Sequence, residues 1–285
     1  MDTVYLNGHF IPKEHATISI MDRGFLFGDS VYEVVPVHKG KLIGGLQHFT
    51  RLQNSLKNIL MNCPFADYDK FSKACYQLLK ENERSNEDCS LYFQITRGAE
   101  KHRSHRIPDN ITPTVIGFCM DAHSKSKEEL EQGFKAITYI DLRRYDNFIK
   151  STDLLTNVML YEKACEQGAI ETILIRDDKV LECTASNLFI VKDGIIKTPP
   201  LADTILAGIT RSLILEFAKE HNIPAQEVDL SEEELVNADE VWVSGSTKEI
   251  CPIVQLNDKP VGNGKVGEIW RKINSFYQQF KETCV

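Results

Sequence analysis

Residues 145–188, YDNFIKSTDLLTNVMLYEKACEQGAIETILIRDDKVLECTASNL, constrain this chain most, because two reactive side chains sit there on predicted regular elements. Leu154, Leu155, Val158, Met159 and Ala164 recur at helical spacing and predict an apolar helix face closed by Gly168. Apolar and β-branched runs at 170–176, 179–182 and 187–192 predict strands, the last two joined through Thr184-Ala185-Ser186. Lys150 stands just before Ser151-Thr152-Asp153, a cluster that can cap the helix, and Glu182 lies on the strand side. Together they offer a nucleophilic amine and a fixed negative charge. Singly, each has an ordinary reading as a solvated lysine and a strand glutamate.

With 285 residues the chain can bury the core of one large domain or two medium ones. A formal net charge of −8 argues against nonspecific binding to nucleic acid or an anionic membrane, although a few placed arginines can still hold an anionic ligand. The opening MDTVYLNGHFIPKEH lacks a basic start followed by an apolar segment, and no apolar run approaches a membrane span. The eight cysteines are scattered without a CxxC pair or metal-ligand spacing, which predicts reduced core residues and a cytosolic protein.

In chain order, residues 3–20 predict short strands around an Asn7-Gly8 turn. MDRGFLFGDSVYEVVPVHKG (21–40) predicts a glycine-punctuated aromatic loop and then a strand that carries Tyr32, Glu33 and Pro36. Leu46, Phe49, Leu52, Leu56, Ile59 and Leu60 give a helical stripe over 45–61, with Arg51 off its centre. A second helix is predicted over 66–82, and strands over 89–98 and 112–121. Between those strands lies a basic loop holding Arg103 and His105. The polar stretch 121–132 is the expected linker between a smaller N-terminal α/β domain (1–120) and a larger C-terminal one (133–285). Farther on, Gly208-Ile209-Thr210 opens a helix with Leu213, Ile214, Leu215, Phe217 and Ala218 as core, and free amides at such a terminus bind anions. Ser231-Glu232-Glu233-Glu234 reads as a capping box. VWVSGSTKEI ends a strand in a turn containing Gly245, Ser246 and Thr247, and a last helix is predicted over about 265–281.

Five motifs in this order make the chain resemble the fold type IV pyridoxal phosphate enzymes, the family of D-amino acid and branched-chain aminotransferases and aminodeoxychorismate lyase. They are D-R-G-x-x-F-G-D with Tyr32-Glu33, H-x-x-R-L at 48–52, the Lys150 to Glu182 stretch, L-x-G-I-T-R ending at Arg211, and the SGSTKE turn. The resemblance implies a two-domain α/β fold of the α+β type, with the cofactor in the interdomain cleft, and a homodimer. It implies that Lys150 holds pyridoxal 5′-phosphate as a Schiff base and serves as general acid and base. It gives Glu182 to the pyridine nitrogen, and Arg51, Ile209, Thr210, Ser246 and Thr247 to the phosphate. Tyr32, Arg103 and His105 resemble the substrate-carboxylate ligands of D-amino acid aminotransferases, in a loop that would reach the neighbouring subunit.

The reaction expected on that basis is transamination between D-amino acids and 2-oxo acids. A branched-chain aminotransferase is an alternative, although its Y-F-E-G pattern is missing here. An aminodeoxychorismate lyase is another, because Glu182-Cys183-Thr184-Ala185-Ser186-Asn187 resembles the lyase turn as closely. A cofactor-binding protein without catalysis would be expected to lack Lys150 or Glu182, and both are present.

Overall fold

Asn7 and Gly8 both take positive φ, and that two-residue turn folds β1 (Thr3–Leu6) back on β2 (His9–Pro12). The chain is described by a computed structural model over residues 2–122 and 124–284. It forms two units. One is Met1–Ala122 with Ile149–Asp153 and Cys284–Val285; the other is His123–Phe148 with Leu154–Thr283.

In the first unit, a short helix α1 (Arg23–Phe27) precedes β3 (Ser30–His38) and β4 (Lys41–Leu42). Helices α2 (Gly45–Asn58) and α3 (Tyr68–Glu81) follow, then β5 (Cys89–Thr96) and β6 (Thr114–Asp121). The strands form an antiparallel sheet in the order β2-β1-β6-β5-β3-β4. Phe49, Leu52 and Leu56 of α2 and Phe71, Leu78 and Leu79 of α3 pack with Val31, Val35, Leu91, Phe93 and Ile95 of the sheet. Leu46 and Leu60, expected on the same stripe, are exposed; Leu60 lies past the helix end at positive φ. Pro36 is tolerated because β4 pairs only Val37 and His38, so no ladder bond needs its missing N–H.

The second unit opens with α4 (Lys127–Gln132), a helical turn inside the polar stretch, held by a Ser126–Glu129 capping box. Then come β7 (Phe134–Ile140), α5 (Leu155–Glu166), β8 (Glu171–Arg176), β9 (Lys179–Cys183), β10 (Asn187–Lys192) and β11 (Ile195–Thr198). After α6 (Ile209–Glu220) follow β12 (Ala225–Glu227), β13 (Leu230–Ser231) and α7 (Glu232–Val236), the last behind the Ser231–Glu234 capping box. The chain ends in β14 (Glu240–Gly245), β15 (Glu249–Leu256), β16 (Lys259–Pro260) and α8 (Glu268–Thr283). The sheet runs β12-β11-β10-β14-β15-β7-β8-β9-β13, with β16 on β15, and is parallel where β7 meets β15 and β8 and where β11 meets β12.

Both faces of this sheet are covered, which explains its nearly continuous apolar strands. Along β10, Leu188 and Ile190 enter one core, while Phe189 and Val191 enter another with Leu213, Ile214 and Phe217 of α6 and Trp270, Ile273 and Tyr277 of α8.

Helix α5 corrects one expectation. Leu160 and Ala164 are buried, but Leu155, Val158 and Met159, expected on the core face, are 72%, 62% and 59% exposed. Periodicity marks apolar positions without saying what covers them, and the turn that meets β8 is the one where Thr172 Oγ1 donates to the Leu160 carbonyl at 2.7 Å.

Candidate active site

The residues singled out in the sequence fall in both units: Tyr32, Arg51, Arg103, His105 and Lys150 in the first, and Glu182, Ile209, Thr210, Ser246 and Thr247 in the second.

Lys150 reaches the first unit because residues 149–153 are strapped along β3, against the expectation of one unbroken domain from residue 133. Ile149 is buried in the first core, and Ser151 bridges to Val31. The Tyr32 N–H donates to the Lys150 carbonyl at 3.0 Å, and the Thr152 N–H donates to the Ser30 carbonyl at 3.2 Å. The Lys150 N–H points to Ser55 Oγ at 3.3 Å. The backbone is thus held from three sides, while Nζ lies 4.3 Å over the Tyr32 ring with no ion pair among the described residues. Tyr32 itself stacks on Tyr92, with centroids 5.5 Å apart.

Strand alternation puts Glu33 on the opposite face from Tyr32, fully buried against α2. Arg51 grips it with two bonds, Nε to Oε1 and Nη2 to Oε2, both 2.8 Å, and His48 Nδ1 lies 2.7 Å from Oε2. Burial raises the Glu33 carboxyl, but the Arg51 charge and bonds, with those of His48, outweigh it and leave it at about 2. Burial also holds His48 below its ordinary value, despite Glu33. Arg103 and His105 are exposed and lean on Phe27; among the described residues no hydrogen bond or ring contact joins either to Tyr32.

In the second unit Glu182 is buried near the end of β9. Its Oε1 accepts from Arg143 Nη1 at 2.7 Å; Oε2 accepts from Asn187 Nδ2 at 3.2 Å and from the Leu206 N–H at 3.1 Å. Arg143 is shared, its Nε and Nη2 donating to Asp141 at 3.0 and 3.2 Å, and Asp141 also meets Arg176 at 3.0 Å. Burial pushes the Glu182 carboxyl up to about 7; Arg143 and the Leu206 N–H oppose that push, and the Asp141 charge adds to it.

The remaining expected ligands gather around Asn187. Its Nδ2 also donates to the Leu206 carbonyl at 2.9 Å, and its backbone pairs with Ser244, where β14 runs into the turn holding Ser246 and Thr247. Gly208 packs so closely that a Cβ there would lie 1.9 Å from Asn187 Oδ1. Gly208 therefore opens α6 with no side-chain cap, so the first-turn amides of Ile209 and Thr210 face outward from an uncapped terminus. The turn after Glu182 is built on buried Glu171. That carboxylate takes the Thr184 and Ala185 N–H groups at 3.2 and 3.1 Å, the Thr184 and Ser186 hydroxyls, and Lys248 Nζ at 3.1 Å.

Asp141, Arg143, Glu171 and Asn187 were not among the residues expected at the site. Asp141 and Arg143 left one trace, their i, i+2 spacing just past a strand, which puts alternate residues on one side. Chemically, the first unit presents an amine on a rigid backbone. The second presents an uncapped helix terminus of the kind that suits an anion and a buried carboxyl that burial holds at about 7 against its three donors.

The family described as amino-transferase class IV matches residues 30–256. The D-alanine aminotransferase of Listeria monocytogenes is 36% identical over 99% of this chain and 97% of its own. That of Staphylococcus epidermidis is 37% identical over 98% of each. Among solved structures, the Escherichia coli branched-chain amino acid aminotransferase superposes with a TM-score of 0.90 at 27% identity, over 98% of this chain and 94% of that one.

Proposed function

The chain belongs to the class IV aminotransferases, and from that premise we propose that it transfers amino groups between D-amino acids, such as D-alanine, and 2-oxo acids. The full-length likeness to D-alanine aminotransferases carries this reading. Class IV aminotransferases depend on pyridoxal 5′-phosphate, whose ring withdraws electrons from the substrate Cα. The residues fit that group. The amine to hold it is Lys150, and the buried Glu182, whose carboxyl burial pushes up, suits a protonated ring nitrogen. The uncapped start of α6 at Ile209 and Thr210, with the turn of Ser246 and Thr247, suits a phosphate, and Arg51 in the first unit has the guanidinium that phosphate binding favours.

With the cofactor held there, Lys150 would be the base that takes the proton from the substrate Cα and the acid that returns it two bonds away, at the cofactor carbon. Its strapped backbone limits that motion to the side chain. Beside a protonated ring nitrogen, Glu182 would hold its negative charge in a dry setting, where electrostatic preorganisation is strong. Glu33 occupies Nε and Nη2 of Arg51 and so fixes the plane of the guanidinium. Tyr32, Arg103 and His105 bind the substrate carboxylate and set which face of Cα meets Lys150.

Exposed Leu155, Val158 and Met159, with Tyr139, Ile140, Leu142 and Tyr145 in the same unit, support a homodimer that covers them. Val158→Glu should turn a dimer sedimenting in the ultracentrifuge into monomer. No helix of the described residues is long and apolar enough to cross a membrane. Buried thiols such as Cys75, Cys183 and Cys251 support a reducing cytosolic setting.

The activity is tested by assaying D-alanine, L-leucine and aminodeoxychorismate side by side. Turnover of D-alanine with a 2-oxo acid is expected; pyruvate released from aminodeoxychorismate alone would make the protein a lyase. Borohydride reduction should place the cofactor adduct on Lys150 by mass spectrometry, and an adduct on Lys163 or Lys192 would overturn that assignment.

A further inference from the structure

The loop that carries Arg103 and His105 has a foundation of its own. Helix α1 is only five residues long, yet it is fixed at both ends. Asp22 caps it by accepting from the Gly24 N–H at 2.8 Å, and it also takes the Thr114 hydroxyl at 2.7 Å. A Cβ at Gly24 would lie 2.5 Å from Thr96, and Gly28 closes the helix at φ +67°. This accounts physically for the D-R-G-x-x-F-G spacing.

Two side chains of α1 then turn toward the basic loop. Arg23 is buried and held by Asp29, Nε to Oδ2 at 2.8 Å, while Asp29 is itself gripped by Arg97 at 2.7 and 2.9 Å. With its plane set, Arg23 Nη1 donates to the Ser104 carbonyl at 2.7 Å and the Arg106 carbonyl at 3.3 Å, and pairs with Glu100. Phe27 offers the second hold. The Arg103 guanidinium lies 4.7 Å over its ring and the His105 imidazole meets it at 5.3 Å, edge-on at 61°.

We propose that Phe27, on the base provided by Arg23, is a positioning residue that pre-orders Arg103 and His105 for a carboxylate. This rests on the reading that those two side chains receive the substrate carboxylate. Both are solvent-exposed, and a free arginine gives up much rotamer freedom when it binds. A shared ring removes that freedom beforehand, so the cost does not fall on substrate binding. The arrangement acts on affinity and leaves the chemistry at Lys150 untouched.

The test is steady-state kinetics of the holoenzyme. Phe27→Leu keeps apolar bulk and loses the aromatic face; it should raise KM for D-alanine about fivefold with kcat and the cofactor absorbance unchanged. Phe27→Tyr, which restores the ring, should return KM to the wild-type value. Arg103→Ala should raise KM further, and adding Phe27→Leu to it should change nothing more. If Arg103→Ala raises KM while Phe27→Leu does not, the positioning role is wrong and the carboxylate role of Arg103 stands. If Arg103→Ala leaves KM unchanged, the carboxylate reading fails and the proposal with it. A Phe27→Leu enzyme that loses kcat or cofactor would mark Phe27 as scaffold and overturn the proposal. Phe27→Met repeats the measurement if the leucine variant does not fold.

Discussion

Each unit buries one glutamate against an arginine, and the two pairs come out opposite. Glu33 meets Arg51 through both of its oxygens and His48 besides, so its carboxyl falls to about 2. Glu182 gets one bond from an Arg143 that Asp141 already engages, plus two neutral donors, and rises to about 7. Burial is comparable and each accepts three hydrogen bonds; the charge of the donors differs, and Asp141 competes for Arg143. A saturated pair is a piece of architecture, and here it stiffens Arg51. A buried carboxyl met mostly by neutral donors suits a further cation, such as a ring nitrogen that must stay protonated.

The sharpest way to break this contrast is Glu182→Gln, which keeps size and one acceptor but removes the charge. Turnover of the holoenzyme should fall about a thousandfold, about 4 kcal/mol in the barrier, with cofactor still bound. Unchanged turnover would mean that something else serves the ring nitrogen. Glu33→Gln should act on the fold instead. Leaving Arg51 buried without its carboxylate should cost about 3 kcal/mol in urea unfolding, whereas Glu182→Gln should cost none.

pH sharpens the contrast further. Glu33, depressed from 4.5 to about 2, contributes stability that is complete above pH 4.5 and is lost as pH falls through 2. Glu182, raised from 4.5 to about 7, runs the other way. Its contribution is complete below pH 4.5 and is lost as pH rises through 7. The Glu182→Gln protein, stripped of cofactor, should therefore gain about 3 kcal/mol over wild type at pH 7.5 and almost nothing at pH 4. Parallel curves at both pH values would show that Glu182 titrates normally. The smallest effect is expected at Asn187. Asn187→Ala removes one neutral donor from Glu182 and one from the Leu206 carbonyl, and should lower kcat about tenfold, or about 1.4 kcal/mol. A change in cofactor affinity larger than that in kcat would shift its role toward the α6 terminus.

Much of this was legible in the chain itself. The turn at Asn7-Gly8, the strand 30–38, the helix stripe of Phe49, Leu52 and Leu56 and the capping box at Ser231 follow from local rules, because turns, caps and periodicity act over a few residues. The motif order identified the family, and through that resemblance pointed to Lys150 and Glu182 as the residues proposed for the site. What the sequence could not decide needed contacts distant along the chain. Ile149 enters a core built from residues 31–115, so Lys150 joins the first unit. Leu155, Val158 and Met159 share the apolar character of Leu160, yet only the packing of α5 on β8 decides which are covered. The two glutamates are chemically identical in the sequence, and each has an arginine within reach of its fold. The charges around them separate the two, since three donors meet each carboxylate but two of those on Glu182 are neutral and its arginine is shared with Asp141, and that convergence is a property of the folded chain.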